Sequence, residues 1–240
     1  MRIAMASVFL AVGMAACEVD HYPLRDPGVP PPPPAPPPPP SATIRGRLCE
    51  IFDLTERVDC RPAENSELIV STLITFATAD ADGTFAVASP EKATTIAVVA
   101  VANDDWFGST VFVSLDAGGA ARGVEIPVMR RALVEEIVAN SSAPLAEGSS
   151  IFAVQVDRAG VPAASVAFEP VDGVQPRYDA GERTYLPGNG TGPLGTAVYV
   201  DLDPTLTGYD IPYGDATAPH MVHLGAFAET LALTRVQLAP

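Results

Sequence analysis

Few side chains in this 240-residue chain could do chemistry: three cysteines, three histidines and a scatter of aspartates. His220 and His223 are three apart in a stretch that reads as strand, where an odd offset sends side chains to opposite faces, so they make a poor metal pair. Gly190-Thr-Gly192-Pro-Leu-Gly195 has the glycine spacing of a dinucleotide-binding turn. Such a turn must follow a strand and open a helix, whereas this one contains Pro193 and runs into a strand at Thr196. Asp80-Ala-Asp82-Gly83 resembles a calcium loop, but its first ligand would be Thr78 and its twelfth Ser89, where a bidentate Glu is needed. It reads as a hairpin turn. Asp104, Asp105, Asp201, Asp203, Asp210 and Asp215 could include a calcium site, although solvation of loops and strand ends is the commoner use of such residues. There is no Gly-x-Ser-x-Gly elbow and no His-Glu-x-x-His run, and a hydrolase triad built from distant residues would leave no local trace. On these patterns no catalytic, metal or cofactor residue is assigned, and a hydrolase with an unrecognised site ranks third among the functional readings.

Cys17 carries more information. Arg2 precedes an apolar run of about 14 residues, too short for a spanning helix, which needs roughly 20. Ala15 and Ala16 stand before the cysteine, where a peptidase tolerates little bulk. Met14-Ala15-Ala16-Cys17 resembles the lipobox of bacterial lipoproteins, with Met14 where Leu is usual; an ordinary secretory signal is the alternative. The resemblance implies cleavage before Cys17, a diacylglyceryl group on its sulfur and acyl chains such as palmitate, so that 1–16 is a signal peptide and the lipid bilayer is a partner through Cys17. Two or three chains at about 0.8 kcal/mol per buried methylene would hold durably. In such lipoproteins an Asp after the cysteine signals inner-membrane retention; Glu18 stands here, so the outer membrane is expected.

With Cys17 assigned to lipid, Cys49 and Cys60 remain, and an exported chain would join them in a disulfide. That loop would stabilise by about 3 kcal/mol in the chain-entropy view. Two free thiols are the alternative. Between anchor and folded region, Pro30–Pro34 and Pro36–Pro40 flank Ala35. Proline lacks an amide donor and fixes φ, so this run favours a polyproline helix, reaching roughly 34 Å at about 3.1 Å per residue. It reads as a semi-rigid stalk within a Pro-rich linker, 17–41, with a docking peptide for an aromatic groove as the alternative.

Beyond residue 41 the pattern changes to alternation. Thr43–Leu48, Leu68–Phe76, Thr84–Ala88, Thr94–Ala102, Thr110–Leu115 and Gly123–Met129 read as strands. Ile96–Val101 is apolar on both faces, as a central strand buried on two sides would be. Arg130–Ala139 fits a short helix, with a seventh strand as the alternative. A second set of strands follows at Ser150–Val156, Ala164–Glu169, Thr196–Leu202, Gly208–Ile211, Met221–Phe227 and Thr230–Leu238. The Gly- and Pro-rich stretch Asp172–Gly195 reads as loop.

Thr43-Ile-Arg-Gly-Arg and Thr78-Ala-Asp-Ala-Asp-Gly-Thr-Phe85 resemble the carboxypeptidase regulatory-like domain, a small β-sandwich of transthyretin-like build. Asp157 to Val166 and Gly195-Thr-Ala-Val-Tyr199 are similar to the same group, and Cys49 to Cys60 enlarges a loop that is normally tight there. The resemblance implies an all-β fold of two tandem Ig-like or transthyretin-like β-sandwich domains, at 42–130 and 147–240, joined by a linker or short helix at 131–146. Domains of this group act as spacers or binding modules. The leading functional expectation is therefore a non-catalytic, membrane-anchored envelope lipoprotein that contacts another envelope protein. The second is a glycan- or peptide-binding module using Trp106, Phe107, Tyr178, Tyr185 or Tyr209. Charge excludes one partner class: 29 acidic against 14 basic residues, a formal charge of −15, argues against nucleic acid, whose phosphates need clustered cations.

Overall fold

The computed structural model describes residues 42–56, 60–72, 74–90, 93–215 and 218–238. The signal segment 1–16, Cys17 and the Pro-rich linker 17–41 lie outside the described residues. The first half contains β1 (Thr43–Glu50), β2 (Arg61–Pro62), β3 (Ile69–Ser71), β4 (Phe76–Thr78), β5 (Thr84–Ala88), β6 (Thr95–Ala100), β7 (Trp106–Ser114) and β8 (Ala121–Arg130). β1 pairs antiparallel with β5 and parallel with β8, forming one layer. β4, β3, β6 and β7 lie in that order in the other. Alternation explains the core: Ile44, Leu48, Phe85 and Ile126 from the first layer meet Val70, Val98 and Val113 from the second. At Gly46 a Cβ would stand 2.0 Å from the Val124 carbonyl oxygen, so β1 and β8 approach closely only because that residue has no side chain.

Helix α1 (Arg131–Ser141) follows, ending two residues beyond the expected Ala139 with Ser142 in the left-handed region at φ 51°. The second half contains β9 (Ser150–Arg158), β10 (Val161–Pro162), β11 (Ala167–Phe168), β12 (Arg177–Gly181), β13 (Thr184–Pro187), β14 (Thr196–Leu202), β15 (Thr205–Asp215), β16 (Ala218–Ala226) and β17 (Thr230–Leu238). Here the sheet β13-β12-β14-β9-β17 is covered by the three-stranded sheet β11-β15-β16. Phe152, Val154 and Tyr199 pack against Phe168, Ile211 and Leu224 between them. The architecture is all-β and of β-sandwich type, with α1 the single helix among the described residues.

β17 joins the halves, running parallel to β9 over Leu231–Leu238 and parallel to β7 over Thr230–Ala232. The described residues all fall in one unit.

Beyond shifts in the bounds of elements such as β7, β11 and β15, three expectations differ from the structure. Leu68–Phe76 is not one strand: the chain turns between β3 and β4, where the Thr72 N–H donates to Thr75 O at 2.8 Å and the Thr75 hydroxyl donates to Ala88 O at 3.0 Å. The expected loop Asp172–Gly195 contains the β12–β13 hairpin, whose buried Tyr178 and Tyr185 outweigh the surrounding Gly and Pro. Finally, among the described residues β6 is fully covered on one face only: Ile96, Val98 and Ala100 are buried, whereas Ala97 and Val99 are half-buried and Val101 is exposed.

Candidate functional site

The expected Cys49–Cys60 disulfide is present, its Cα atoms 4.9 Å apart. It ties the end of β1 to the start of β2 and closes a loop that reaches across to the second half. Leu54, 1% exposed, packs in a core shared with Val134 and Ile137 of α1 and with Ile151 and Ala153 of β9. The loop carbonyls of Leu54 and Glu56 accept from the Gln155 side-chain amide at 2.8 and 2.9 Å. Asp53 Oδ1 accepts from the Tyr185 hydroxyl at 2.5 Å, and its Oδ2 from the Arg183 N–H at 2.7 Å. Burial, and then the negative charge of Asp53, push the Tyr185 hydroxyl far above its ordinary value, so it remains a neutral donor.

Beside this loop lies an open cleft of about 620 Å³, lined by β1, β8, β9 and β17. Most of its charged groups already have partners. Glu50 pairs with Arg130 at 3.0 Å, and Glu56 with Arg61 at 3.0 Å. Arg235 approaches Asp157 at 3.6 Å and donates to Gln155 Oε1 at 3.3 Å. Arg47 and Glu125 stand opposite each other in the β1–β8 register, both exposed. Chemically, the cleft offers guanidinium, carboxylate and amide groups around a β17 edge that no described strand pairs beyond Ala232. The one grouping of possible metal donors among the described residues is Cys49, Cys60 and Glu125, and its two sulfurs are bonded to each other.

The other sequence candidates are dispersed. His223 Nδ1 lies 2.8 Å from Asp210 Oδ1, while His220 stacks on Tyr213 at 5.3 Å. Of the other aspartates, Asp201 accepts from the Ala146 N–H at 2.7 Å, and Asp104 and Asp105 are exposed in the loop before β7. The glycine motif wraps around a carboxylate of the chain itself. Buried Asp179 accepts from the N–H groups of Gly192, Leu194 and Thr196 at 3.0, 2.7 and 2.7 Å. Amides that a phosphate would need are thus already donating. Around Asp80–Gly83 the chain turns as expected, the Gly83 N–H donating to Asp80 O at 2.8 Å. Hydrogen bonds from Thr84 lower the pKa of the exposed Asp82. Four aromatic candidates for stacking, Trp106, Phe107, Tyr178 and Tyr185, are buried in the cores. Tyr209 is half-buried, edge-on to Phe152 at 5.8 Å.

Sequence reasoning missed Asp53, Gln155 and Arg235 as a group. Its one signal was the enlarged loop between Cys49 and Cys60, an insertion in a place where a tight turn is usual.

No family of known proteins matches this chain, and no curated protein does. Among solved structures it is similar to the shaft pilin spaA from Lactobacillus rhamnosus GG, at 8% sequence identity and a TM-score of 0.28, over 83% of this chain and 98% of that one.

Proposed function

We propose that this chain is a cell-envelope lipoprotein whose β-unit serves as a non-catalytic scaffold or interaction module, held off the membrane by the polyproline stretch. The observation that carries the reading is the order Arg2, short apolar run, Ala15-Ala16-Cys17, Pro-rich stretch, sandwich. Supporting it, the polar groups of the seam are engaged in joining the two halves: Asp53, Gln155 and Arg183 each bond across from one half to the other or to the disulfide loop. A body braced in this way suits transmitting or resisting contact. Acylation of Cys17 would anchor it, with the outer membrane as destination.

Mass spectrometry of the mature chain, with and without inhibition of the lipoprotein peptidase, tests the anchor, and membrane fractionation tests the destination. An acylated chain beginning at Cys17 is expected. An unacylated chain beginning elsewhere would refute the anchor.

The seam cleft favours a second reading, a glycan or peptide ligand held by Arg47 and Arg235. Here an Arg47→Ala, Arg235→Ala variant should lose retention on a glycan or peptide array; an array that retains nothing rejects the idea.

A further inference from the structure

The uncovered side of β6 belongs to a larger uncharged surface. Outward positions of β4, β3, β6 and β7 carry Phe76, Ile69, Val99 and Phe112, with Ala, Ser and Thr between them and no ionisable side chain of these strands; His223 of β16, edge-on to Phe112 at 6.2 Å, bounds the face at β7. The register brings them together: Ser71 lies opposite both Phe76 and Val99, and Ala97 lies opposite Phe112. The Val101 N–H donates to Ile69 O at 2.8 Å, so Val101 extends the same row. Five of the ten large apolar side chains exposed among the described residues are on or beside this face, with Phe76 76% exposed and Ile74, in the β3–β4 turn, 59%. Contiguous exposed apolar surface of this kind marks an interaction site, whereas isolated exposed hydrophobics do not.

Charge gathers at one end. There the face runs into a groove of about 540 Å³ lined by Val99, Val101, Glu147 and Glu229. Glu67, Asp80, Asp104 and Asp105 lie in the loops at that same end, all exposed. Arg131 offsets part of this, pairing with Glu229 at 3.4 Å while donating to Asn103 O at 3.0 Å. The rim therefore keeps an acidic excess on a chain whose formal charge is already −15. A second copy and an anionic bilayer would both meet net repulsion, whereas a cationic partner is drawn by the rim and by the whole field.

We infer that this face docks a partner protein through a segment with one apolar side and a cationic end, the apolar side covering Phe76, Ile69 and Val99 and the cations meeting the acidic rim. The inference rests on the interaction-module half of the proposed function and is independent of the anchor. Failure of the acylation test leaves it standing, and its own failure leaves acylation untouched.

The test uses the full chain carrying Cys17→Ser, so that no lipid competes, and two short fluorescent amphipathic helical peptides with the same apolar side, one ending in arginines and the other in glutamates. Fluorescence anisotropy should show the arginine-ended peptide binding at least about tenfold tighter, with the difference shrinking as salt rises. Phe76→Ser combined with Ile69→Thr should weaken that binding by about fivefold or more while circular dichroism and the melting curve stay unchanged. Should the pair disturb folding, Val101→Thr alone replaces it. Equal binding of the two peptides, no saturable binding, or indifference to these substitutions would overturn the inference. So would a dimer in sedimentation, or flotation with phosphatidylglycerol vesicles, that the same substitutions abolish; the face would then belong to a second copy or to a bilayer.

Discussion

Ile151–Val154 of β9 and Ile96–Val101 of β6 are apolar on both faces, yet the chain covers both faces of the first and fully covers one face of the second. Phe152 and Val154 of β9 face the three-stranded sheet, while Ile151 and Ala153 face α1 and the disulfide-closed loop. β6 buries Ile96 and Val98 against the first layer and leaves Ala97, Val99 and Val101 on the open side. Apolar residues on both faces of a strand say that both favour cover, because each exposed methylene forgoes about 0.8 kcal/mol of transfer free energy. They do not say where the cover comes from. For β9 it comes from a loop and a helix of the same chain; for β6 the described residues leave Ala97 and Val99 half-buried and Val101 exposed, and this incomplete cover motivates a partner.

The sharpest way to break the comparison is one substitution on the second face of each strand. Ala153→Asp in β9 would place an unpaired carboxylate against Leu54 and Ile137, and should destabilise by about 4 kcal/mol or more, enough to abolish cooperative folding. Ala97→Asp in β6, half-open to water, should cost about 1 kcal/mol. Urea denaturation of the pair measures both, and equal costs would show that the outer side of β6 is covered after all.

Next in size is the cover itself. Replacing Cys49 and Cys60 by serine frees the loop that carries Leu54 and Asp53, and should lower stability by about 3 kcal/mol. Amide exchange should then quicken in β9 and β13, against which the loop packs, and stay slow in β6. Quickening in β6 to the same extent would mean that the loop braces the whole body rather than one strand.

Smaller again is the effect of Tyr185→Phe, which leaves Asp53 Oδ1 without that donor and should cost about 1–3 kcal/mol at neutral pH. Its pH dependence carries a sign. Burial raises the hydroxyls of Tyr178, Tyr185 and Tyr199 above their ordinary value near 10, so the folded chain holds their protons longer than the unfolded chain. Their contribution is fully present below about pH 10 and is lost as pH climbs above it, each with a limiting slope of about 1.4 kcal/mol per pH unit. Removing Tyr185 should flatten the alkaline limb by one proton. An unchanged limb would place that hydroxyl in solvent.

How much of this was legible in the sequence follows from the range of each signal. β5, β14 and β17 have the bounds that alternation gives them, because the period-2 pattern is local. The β12–β13 hairpin was hidden, since its apolar positions are two tyrosines and its surroundings are turn residues. Nothing local announces that β17 runs parallel to β9 and β7, because strand partners far apart in sequence leave no spacing signature. The seam network was illegible for the same reason: Asp53 and Tyr185 are separated by 132 positions. The extra cover of β9 and the missing cover of β6 look alike in one dimension, as two apolar runs. Only the positions of the disulfide loop and of α1 tell them apart.

The smallest expected effect bears most directly on the open face. Phe76 is 76% exposed on the edge strand β4, and serine in its place should change folding stability by no more than about 0.5 kcal/mol. A core phenylalanine truncated in the same way would cost about 3–5 kcal/mol. A residue this large, this apolar and this exposed does little for the isolated chain, since at a free strand edge it favours aggregation. Chemical denaturation of Phe76→Ser with unchanged midpoint, together with greater solubility of the isolated chain, would separate the face from the fold. A loss of several kcal/mol would instead make Phe76 part of the core, and β6 would then resemble β9, covered by its own chain on both sides.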